Sequence, residues 1–156
     1  MLFEVLLVVN FLFSTFLALL SSIGFSIIAN VPQRALLGAG MTGVCSWLVY
    51  YLLNLVYHSI VVPNFAAALV VGVLGFYLAR RFRVPVTMIY VGALISLVPG
   101  GMAFSTLQKI AENNLSAVLK GLFNTGCVAI SLALGIGVAN IFNGIFYKKK
   151  RVASER

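Results

Sequence analysis

The chain carries very few charged residues. Only 9% of its 156 residues are Asp, Glu, Lys or Arg, whereas 62% are hydrophobic. Soluble globular domains typically contain about 25% charged and about 45–50% apolar residues. This shortage of charge excludes a soluble globular domain and predicts a protein that resides in a lipid bilayer.

Acidic residues are especially rare: the chain has three of them, compared with 11 Lys and Arg. None lies deep within an apolar run, since Glu4 is at the edge of the first run and Glu112 falls in a mixed segment. A proton-coupled carrier usually has a titratable carboxylate or histidine along its path, and His58 is the one candidate for such a switch. No nucleophile has a base and an orienting acid at a recognisable spacing, so we predict that the protein is not an enzyme.

Cysteine is almost absent as well. Cys45 and Cys127 are far apart and lie within apolar stretches, which argues against a disulfide framework and a metal site, and we expect neither a metal nor a cofactor. A soluble protein with a net charge of +8 would be a candidate for nucleic-acid binding. Here the basic residues cluster in short segments between apolar runs, so we expect no nucleic-acid partner and assign the charge to membrane topology.

What the sequence does contain is a series of long apolar runs. They predict spans at residues 5–29, 35–57, 60–79, 84–98 and 121–147. The fourth run has only 15 residues, and residues 102–120 mix polar and apolar side chains, which is typical of an interfacial or re-entrant segment. The sequence therefore predicts an all-α integral membrane protein with five transmembrane helices and a broken fourth helix. Residues 1–147 form a single transmembrane domain and residues 148–156 a basic cytoplasmic tail; no internal repeat is evident.

The distribution of basic residues is consistent with five spans. An odd number of spans puts the two termini on opposite sides of the membrane. Nine of the 11 basic residues then lie on one side, namely Arg34, Arg80, Arg81, Arg83, Lys148, Lys149, Lys150, Arg151 and Arg156. Only Lys109 and Lys120 lie on the other side. Because cytoplasmic loops carry an excess of Lys and Arg, we predict that the N-terminus is outside and the C-terminus cytoplasmic.

Polar residues recur within the predicted second helix. Those at four-residue intervals are Thr42, Ser46, Tyr50 and Asn54. Each step of four residues advances about 40° around an α-helix, so they form a stripe about 120° wide. The first helix carries a sparser stripe of Asn10, Ser14, Ser21 and Ser22. Lipid offers no hydrogen-bond partners, so these residues face either another helix or a hydrated path, and both interpretations stay open.

Small residues recur in the predicted fifth helix. Those four residues apart are Gly121, Thr125, Ala129, Ala133 and Gly137. Such rows allow the backbones of two membrane helices to approach closely. The row predicts that another helix packs closely against this one.

Proline and glycine interrupt the helical pattern at two places. Breaking a helix in a membrane leaves backbone groups unpaired unless protein, water or a ligand satisfies them. The N-terminus of a half-helix attracts carboxylates in carriers, so Pro99, Gly100 and Gly101 are candidate residues of a substrate pathway. The other interruption contains Asn30, Pro32 and Arg34. It is either a tight cytoplasmic turn or an inner mouth at which Arg34 guides a carboxylate.

Several of these segments resemble a known family. The segment N-V-P-Q-R-A after helix one, the step R-F-R-V-P-V, the break L-V-P-G-G and the basic tail resemble the threonine/serine exporter family, in particular its small, five-span, YjjB-like subunit. The most specific positions are Asn30, Pro32, Arg34, Pro85, Pro99 and Gly100. The resemblance implies a secondary active, proton-coupled exporter of small zwitterionic amino acids in the bacterial inner membrane. It also implies a second, YjjP-like membrane subunit with five more spans, which would supply the missing acid.

Three alternatives stay open at this point. Related family members handle small carboxylates such as dicarboxylates, so the substrate is open between these and threonine or serine. A small self-associating channel lined by the polar stripe of helix two is the second alternative. The third is a structural membrane subunit whose basic tail binds anionic lipid.

Overall fold

The computed structural model describes residues 2–57, 59–112 and 114–154, with side chains for 9–57, 59–112 and 114–145. These residues form six α-helices and no β-strand: α1 (Leu2–Ile28), α2 (Gln33–Val56), α3 (Val61–Phe82), α4 (Val86–Leu94), α5 (Gly100–Ala111) and α6 (Leu115–Ser154). The prediction of an all-helical protein is confirmed. His58, the side chain of Glu4 and the side chains of the basic tail lie outside the described residues, so the roles predicted for them stay predictions.

Four of these helices are long and apolar enough to cross a membrane. They are α2, α3, residues Val9–Ile28 of α1 and residues Leu115–Ile145 of α6, with mean hydropathies from 1.5 to 2.1. By contrast, α4 has 9 residues and α5 has 12, whereas a transmembrane helix needs about 20. The predicted count of five spans is therefore not confirmed by helix length. The predicted fourth span corresponds to α4 and the turn after it, and the mixed segment 102–120 corresponds to most of α5 and the start of α6.

Two turns of the same geometry connect α1 to α2 and α3 to α4. Just after the first helix of each pair comes a residue in the left-handed conformation, Asn30 (φ 57°) or Arg83 (φ 54°). In both turns the N–H of this residue donates to the carbonyl three residues back (3.0 and 3.2 Å), and the next N–H donates to the carbonyl five residues back (2.9 Å in both). This pattern is a Schellman motif, which satisfies the last carbonyls of a helix. Pro32 and Pro85 then start the next helix with the same angles (φ −56°, ψ 138°).

The two turns lie side by side at one end of the helix bundle. The valine that precedes each proline, Val31 or Val84, is buried in a cluster with Ala35, Ala79 and Ile89. The exposed arginines at this end are Arg34, Arg80, Arg81 and Arg83. We call it the basic end. The left-handed residue and the proline therefore repeat as a local unit, although the whole sequence shows no repeat.

Helices α3 and α6 run in the same direction. A Cβ atom at Gly72 of α3 would collide with Ala139 of α6, and a Cβ atom at Gly135 of α6 would meet Ala68 of α3. Residue numbers therefore rise together along the two helices, and α6, like α3, runs toward the basic end. Because both helices rise equally per residue, the start of α3 lies beside about residue 128 of α6. The first roughly 13 residues of α6 therefore extend beyond the start of α3.

Small side chains allow α3, α4 and α6 to pack closely around a central cluster. Ala68 and Val71 of α3 are fully buried there. Tyr90 of α4 donates a hydrogen bond to Gly72 O or to Asn140 Oδ1, both 2.8 Å from its hydroxyl oxygen. Helix α4 packs against α1, α2 and α3, and the Tyr90 side chain connects it to α6.

Candidate functional site

A cavity of about 350 Å³ lies at the end of the bundle opposite the basic end. Its walls come from α2, α3, α5, α6 and the segment between α4 and α5. The polar residues that line it are Tyr50, Asn54, Asn64 and Ser96, and the remaining ones are Ile60, Leu97, Val98, Pro99, Gly101, Met102 and Val128. No charged side chain is among these lining residues. The cavity is therefore polar but uncharged within the described part of the chain.

The interruption around Pro99 forms one wall of this cavity. After α4 ends, the N–H groups of Leu97 and Val98 both donate to Leu94 O (2.8 and 3.0 Å). Pro99 (φ −76°, ψ 47°) then turns the chain, and the N–H of Gly100 closes this turn on Val98 O at 2.7 Å. The turn is an inverse γ-turn, and it redirects the backbone into α5.

The N-terminus of α5 opens onto the cavity. No side chain caps this helix start, and Gly101 and Met102 in its first turn line the cavity. N–H groups in the first turn of a helix have no acceptor within the helix, and the helix dipole adds partial positive charge there. This wall can therefore bind a carboxylate without a cationic side chain.

Neither glycine at the start of α5 is required by the fold. A Cβ atom at Gly100 or Gly101 would meet nothing within 4 Å, and neither residue has a positive φ angle. Only Gly101 lines the cavity. A side chain at position 101 would therefore occupy space inside the cavity, whereas a side chain at position 100 would not.

Two polar side chains of the cavity were not recognised as site residues in the sequence. Asn64 is 5% exposed, and its Nδ2 donates to Ile60 O at 2.7 Å. Ser96 is half-buried, and its Oγ donates to Ala93 O at 2.9 Å. In the sequence Asn64 follows Pro63 and looks like a turn residue. Ser96 is a lone serine in an apolar run, so its position just before the break was the only available signal.

The polar stripe predicted on α2 is divided between two environments. Tyr50 and Asn54 line the cavity, and their role in a hydrated path stays a prediction. Thr42 and Ser46 are fully buried between helices, and each hydroxyl donates to a carbonyl of its own helix at 2.8 Å. The first half of the stripe therefore lies in contacts between helices, and its second half lines the cavity.

The residues of the first interruption lie far from the cavity. Asn30 is the exposed left-handed residue of the α1–α2 turn, Pro32 starts α2, and Arg34 is exposed at the basic end. Twenty residues separate Arg34 from Asn54 along α2, which corresponds to about 30 Å. The structure therefore brings together Tyr50, Asn54, Pro99 and Gly101, with Gly100 adjacent, but not Asn30, Pro32 or Arg34.

A second cavity of about 320 Å³ lies on the other side of the segment after α4. The hydroxyls of Ser14 and Ser21 and the indole of Trp47 contribute to its lining. Trp47 also stacks on Tyr51, with ring centroids 5.2 Å apart. Ser96 lines both cavities, so the segment between α4 and α5 separates them.

Comparison with known proteins identifies the family. A family profile described as "Threonine/Serine exporter, ThrE" matches residues 14–142, a range that includes both turns, the break at Pro99 and every residue of the cavity. The chain belongs to the threonine/serine exporter family. The resemblance seen in the sequence is thereby confirmed, and the apolar helices of this exporter-family chain are those of a membrane transport protein.

One relative of this exporter-family chain has about twice its length. An uncharacterized protein of Haemophilus influenzae is 23% identical to it over 149 residues, which cover 90% of this chain and 49% of the relative. The chain thus spans about half the length of this curated relative. No solved structure matches the chain.

Proposed function

We propose that this chain is a subunit of a secondary active exporter of threonine, serine or similar small zwitterions, and that the substrate binds in the cavity beside Pro99. The observation that carries this proposal is the uncapped start of α5 facing a polar, uncharged cavity. Its volume of about 350 Å³ lies at the lower end of the range of about 300–1,000 Å³ for small-molecule sites. The cavity therefore has enough room for a small amino acid.

The charge of the cavity favours a zwitterion over a dicarboxylate. Because the described lining residues carry no charge, a net negative guest would leave water without a cationic partner, which is costly in a membrane. A zwitterion has no net charge, and its carboxylate matches the first turn of α5. The channel alternative receives less support, since Thr42 and Ser46 are buried between helices and do not line this cavity.

The directions of the helices support five crossings of the membrane. α1 and α3 both end at the basic end, and α2 returns from it. Because α6 is parallel to α3, one further return must lie between them, and α4, the break and α5 together provide it. We propose that the basic end is cytoplasmic in the bacterial inner membrane. The N-terminus is then outside and the C-terminus cytoplasmic.

A second membrane subunit completes the exporter in this proposal. The described residues that line the cavity include no carboxylate to carry a proton. A relative of about twice the length matches this chain over only one half of the relative. On α6 the small residues Ala129, Ala133 and Gly137 are exposed, which is a surface suited to another membrane helix. The partner would cover this surface and supply the titratable acid.

Reconstitution into liposomes tests the proposal. We expect the chain and its partner together to move serine when a proton gradient is imposed, and the chain alone to be inactive. Full gradient-driven serine transport by the chain alone would contradict the need for a partner. Ion conductance of the purified single chain in planar bilayers would support the channel instead.

A further inference from the structure

We infer that Asn64 and Ser96 form an acceptor pair that binds the ammonium group of the substrate. This inference rests on the proposed function and deepens it, because it assigns the two charges of a zwitterion to different groups that line one cavity. The first turn of α5 offers N–H donors to the carboxylate, and Asn64 and Ser96 offer oxygen acceptors to the amine.

The hydrogen bond of Asn64 decides which of its atoms is available. A carbonyl can only accept, so the atom that bonds to Ile60 O at 2.7 Å is the amide nitrogen. This bond fixes the amide plane before any guest arrives. The Oδ1 atom accepts no hydrogen bond from the described residues, although Asn64 is 95% buried and lines the cavity. An amide oxygen that lines a cavity and has no donor among the described residues can accept a hydrogen bond from water or from a ligand.

The hydroxyl of Ser96 also donates its hydrogen bond within the protein. Its single proton is donated to Ala93 O at 2.9 Å, so the oxygen can only accept further hydrogen bonds. Ser96 lies on the segment after α4, whereas Asn64 lies in the second turn of α3. Two different elements therefore present acceptors to the same cavity.

Acceptors of this kind match an ammonium group better than any other part of a small amino acid. The ammonium group brings three N–H donors and a positive charge, and a charge that leaves water without partners is penalised more than a neutral hydroxyl. Among the described residues no acidic side chain lines the cavity to neutralise this charge, so neutral oxygens must solvate it. The exporter should then require an amine on its substrate, and a hydroxy acid of the same shape should bind weakly.

Binding measurements with three ligands test this assignment. The ligands are L-serine, glycerate, in which a hydroxyl replaces the amine, and ethanolamine, which lacks the carboxylate. Affinities are measured by calorimetry on the purified exporter in detergent, together with its partner. We expect the unmodified protein to bind serine at least about tenfold more tightly than glycerate, because a hydrogen bond to a charged group contributes more than a neutral one. Ethanolamine should bind more weakly than serine as well, since it cannot use the first turn of α5.

Substitutions then identify the residues responsible. Asn64→Leu and Ser96→Ala should each weaken serine binding about tenfold and leave glycerate binding unchanged, so that the preference for the amine falls. Ser105→Ala is a matched control for Ser96→Ala. Its Oγ also donates to the carbonyl three residues back (3.0 Å to Met102 O), but it is exposed and lies outside the cavity. This control should bind serine like the unmodified protein.

Each possible result has a defined meaning. Equal losses for serine and glycerate in both variants would overturn the acceptor pair, because the residues would then only shape the cavity. A full preference for serine in both variants would overturn it as well. If the unmodified exporter binds no serine, the proposed function itself fails. Should Asn64→Leu not fold, Ser96→Ala decides alone, because it removes only a hydroxyl from a half-buried position.

Discussion

Two neighbouring glycines at the start of α5 allow the cavity to be tested with a single methyl group. Gly100 and Gly101 share the first turn of α5, and a Cβ atom at either position would meet nothing within 4 Å. They differ in one respect, because Gly101 lines the cavity and Gly100 does not. Gly100→Ala and Gly101→Ala are therefore a matched pair. The first adds a methyl group outside the cavity and the second adds one to its wall.

Both variants should fold as well as the unmodified protein. Neither glycine has a positive φ angle, so alanine adopts the same backbone. Alanine in place of glycine favours a helix by up to about 1 kcal/mol, and the gain is smaller at a helix end. We expect the midpoints of thermal unfolding in detergent to be unchanged or slightly raised for both variants.

Function should separate the two variants. A methyl group that competes with the substrate for space costs about 1–3 kcal/mol, which corresponds to about 10–200-fold in affinity. Gly101→Ala should therefore lose at least about tenfold in serine affinity and in transport at low serine concentration, whereas Gly100→Ala should keep both. The measurement is serine binding by calorimetry, followed by uptake into proteoliposomes.

Two results would refute this reasoning. If both variants lose binding equally while remaining folded, α5 needs the flexibility of its glycines and the space beside Gly101 is not what matters. If neither variant loses binding, the substrate does not occupy this cavity.

Three further predictions concern packing and topology. Ser22→Ala should raise the free energy of unfolding by about 1 kcal/mol, because the buried Ser22 hydroxyl has no hydrogen-bond partner among the described residues; a lower thermal midpoint would show that this hydroxyl is needed. Gly72→Ala should destabilise the protein by about 1–3 kcal/mol, because its methyl group would collide with Ala139. In the same unfolding assay Gly126→Ala, whose Cβ would meet nothing within 4 Å, should be neutral or should stabilise by up to about 1 kcal/mol, because alanine favours a helix interior over glycine. A fluorescent protein fused to the C-terminus should fluoresce and a fused alkaline phosphatase should be inactive; active phosphatase would reverse the proposed orientation.

The helix ends were predictable from the sequence because their signals are local. Asn30 followed by Val-Pro, and Arg83 followed by Val-Pro, interrupt the hydropathy pattern at the positions where the structure turns. Pro99 does the same at the start of α5. Proline excludes a continuous helix through its own chemistry, so no knowledge of tertiary contacts is needed to recognise such positions.

The composition of the cavity was not predictable in the same way. Asn64 and Val128 meet at the cavity only because α3 and α6 are parallel and in a particular register, which is set by the small residues at Gly72 and Gly135. Periodicity within one helix contains no information about such a register between helices. The polar stripe of α2 shows the same limit, since Thr42 and Asn54 share a helix face by spacing but differ in their surroundings.

Helix α6 begins six residues before the predicted fifth span, for a related reason. Residues 115–120 contain Lys120 among apolar side chains, and composition alone favours a separate mixed segment. The structure instead continues α6 back to Leu115. Gly121 lies against Thr106 of α5, and the two helices form a hairpin. A pairing between helices has therefore overridden the local change in composition.

This hairpin connects the cavity to the proposed partner. Within the described chain α5 packs only against α6, and the hairpin exposes large apolar side chains such as Phe104, Leu107 and Phe123 (61–72% exposed). The wall that contributes the donor groups of Gly101 and Met102 is therefore the least supported part of the cavity. A wall with one packing neighbour has few contacts that order it before binding, and ordering it on substrate binding would lower the affinity. A partner that packs on the exposed side of α5 would order this wall in advance, so serine affinity should be higher in the complex than in the isolated chain even if the partner touches no substrate.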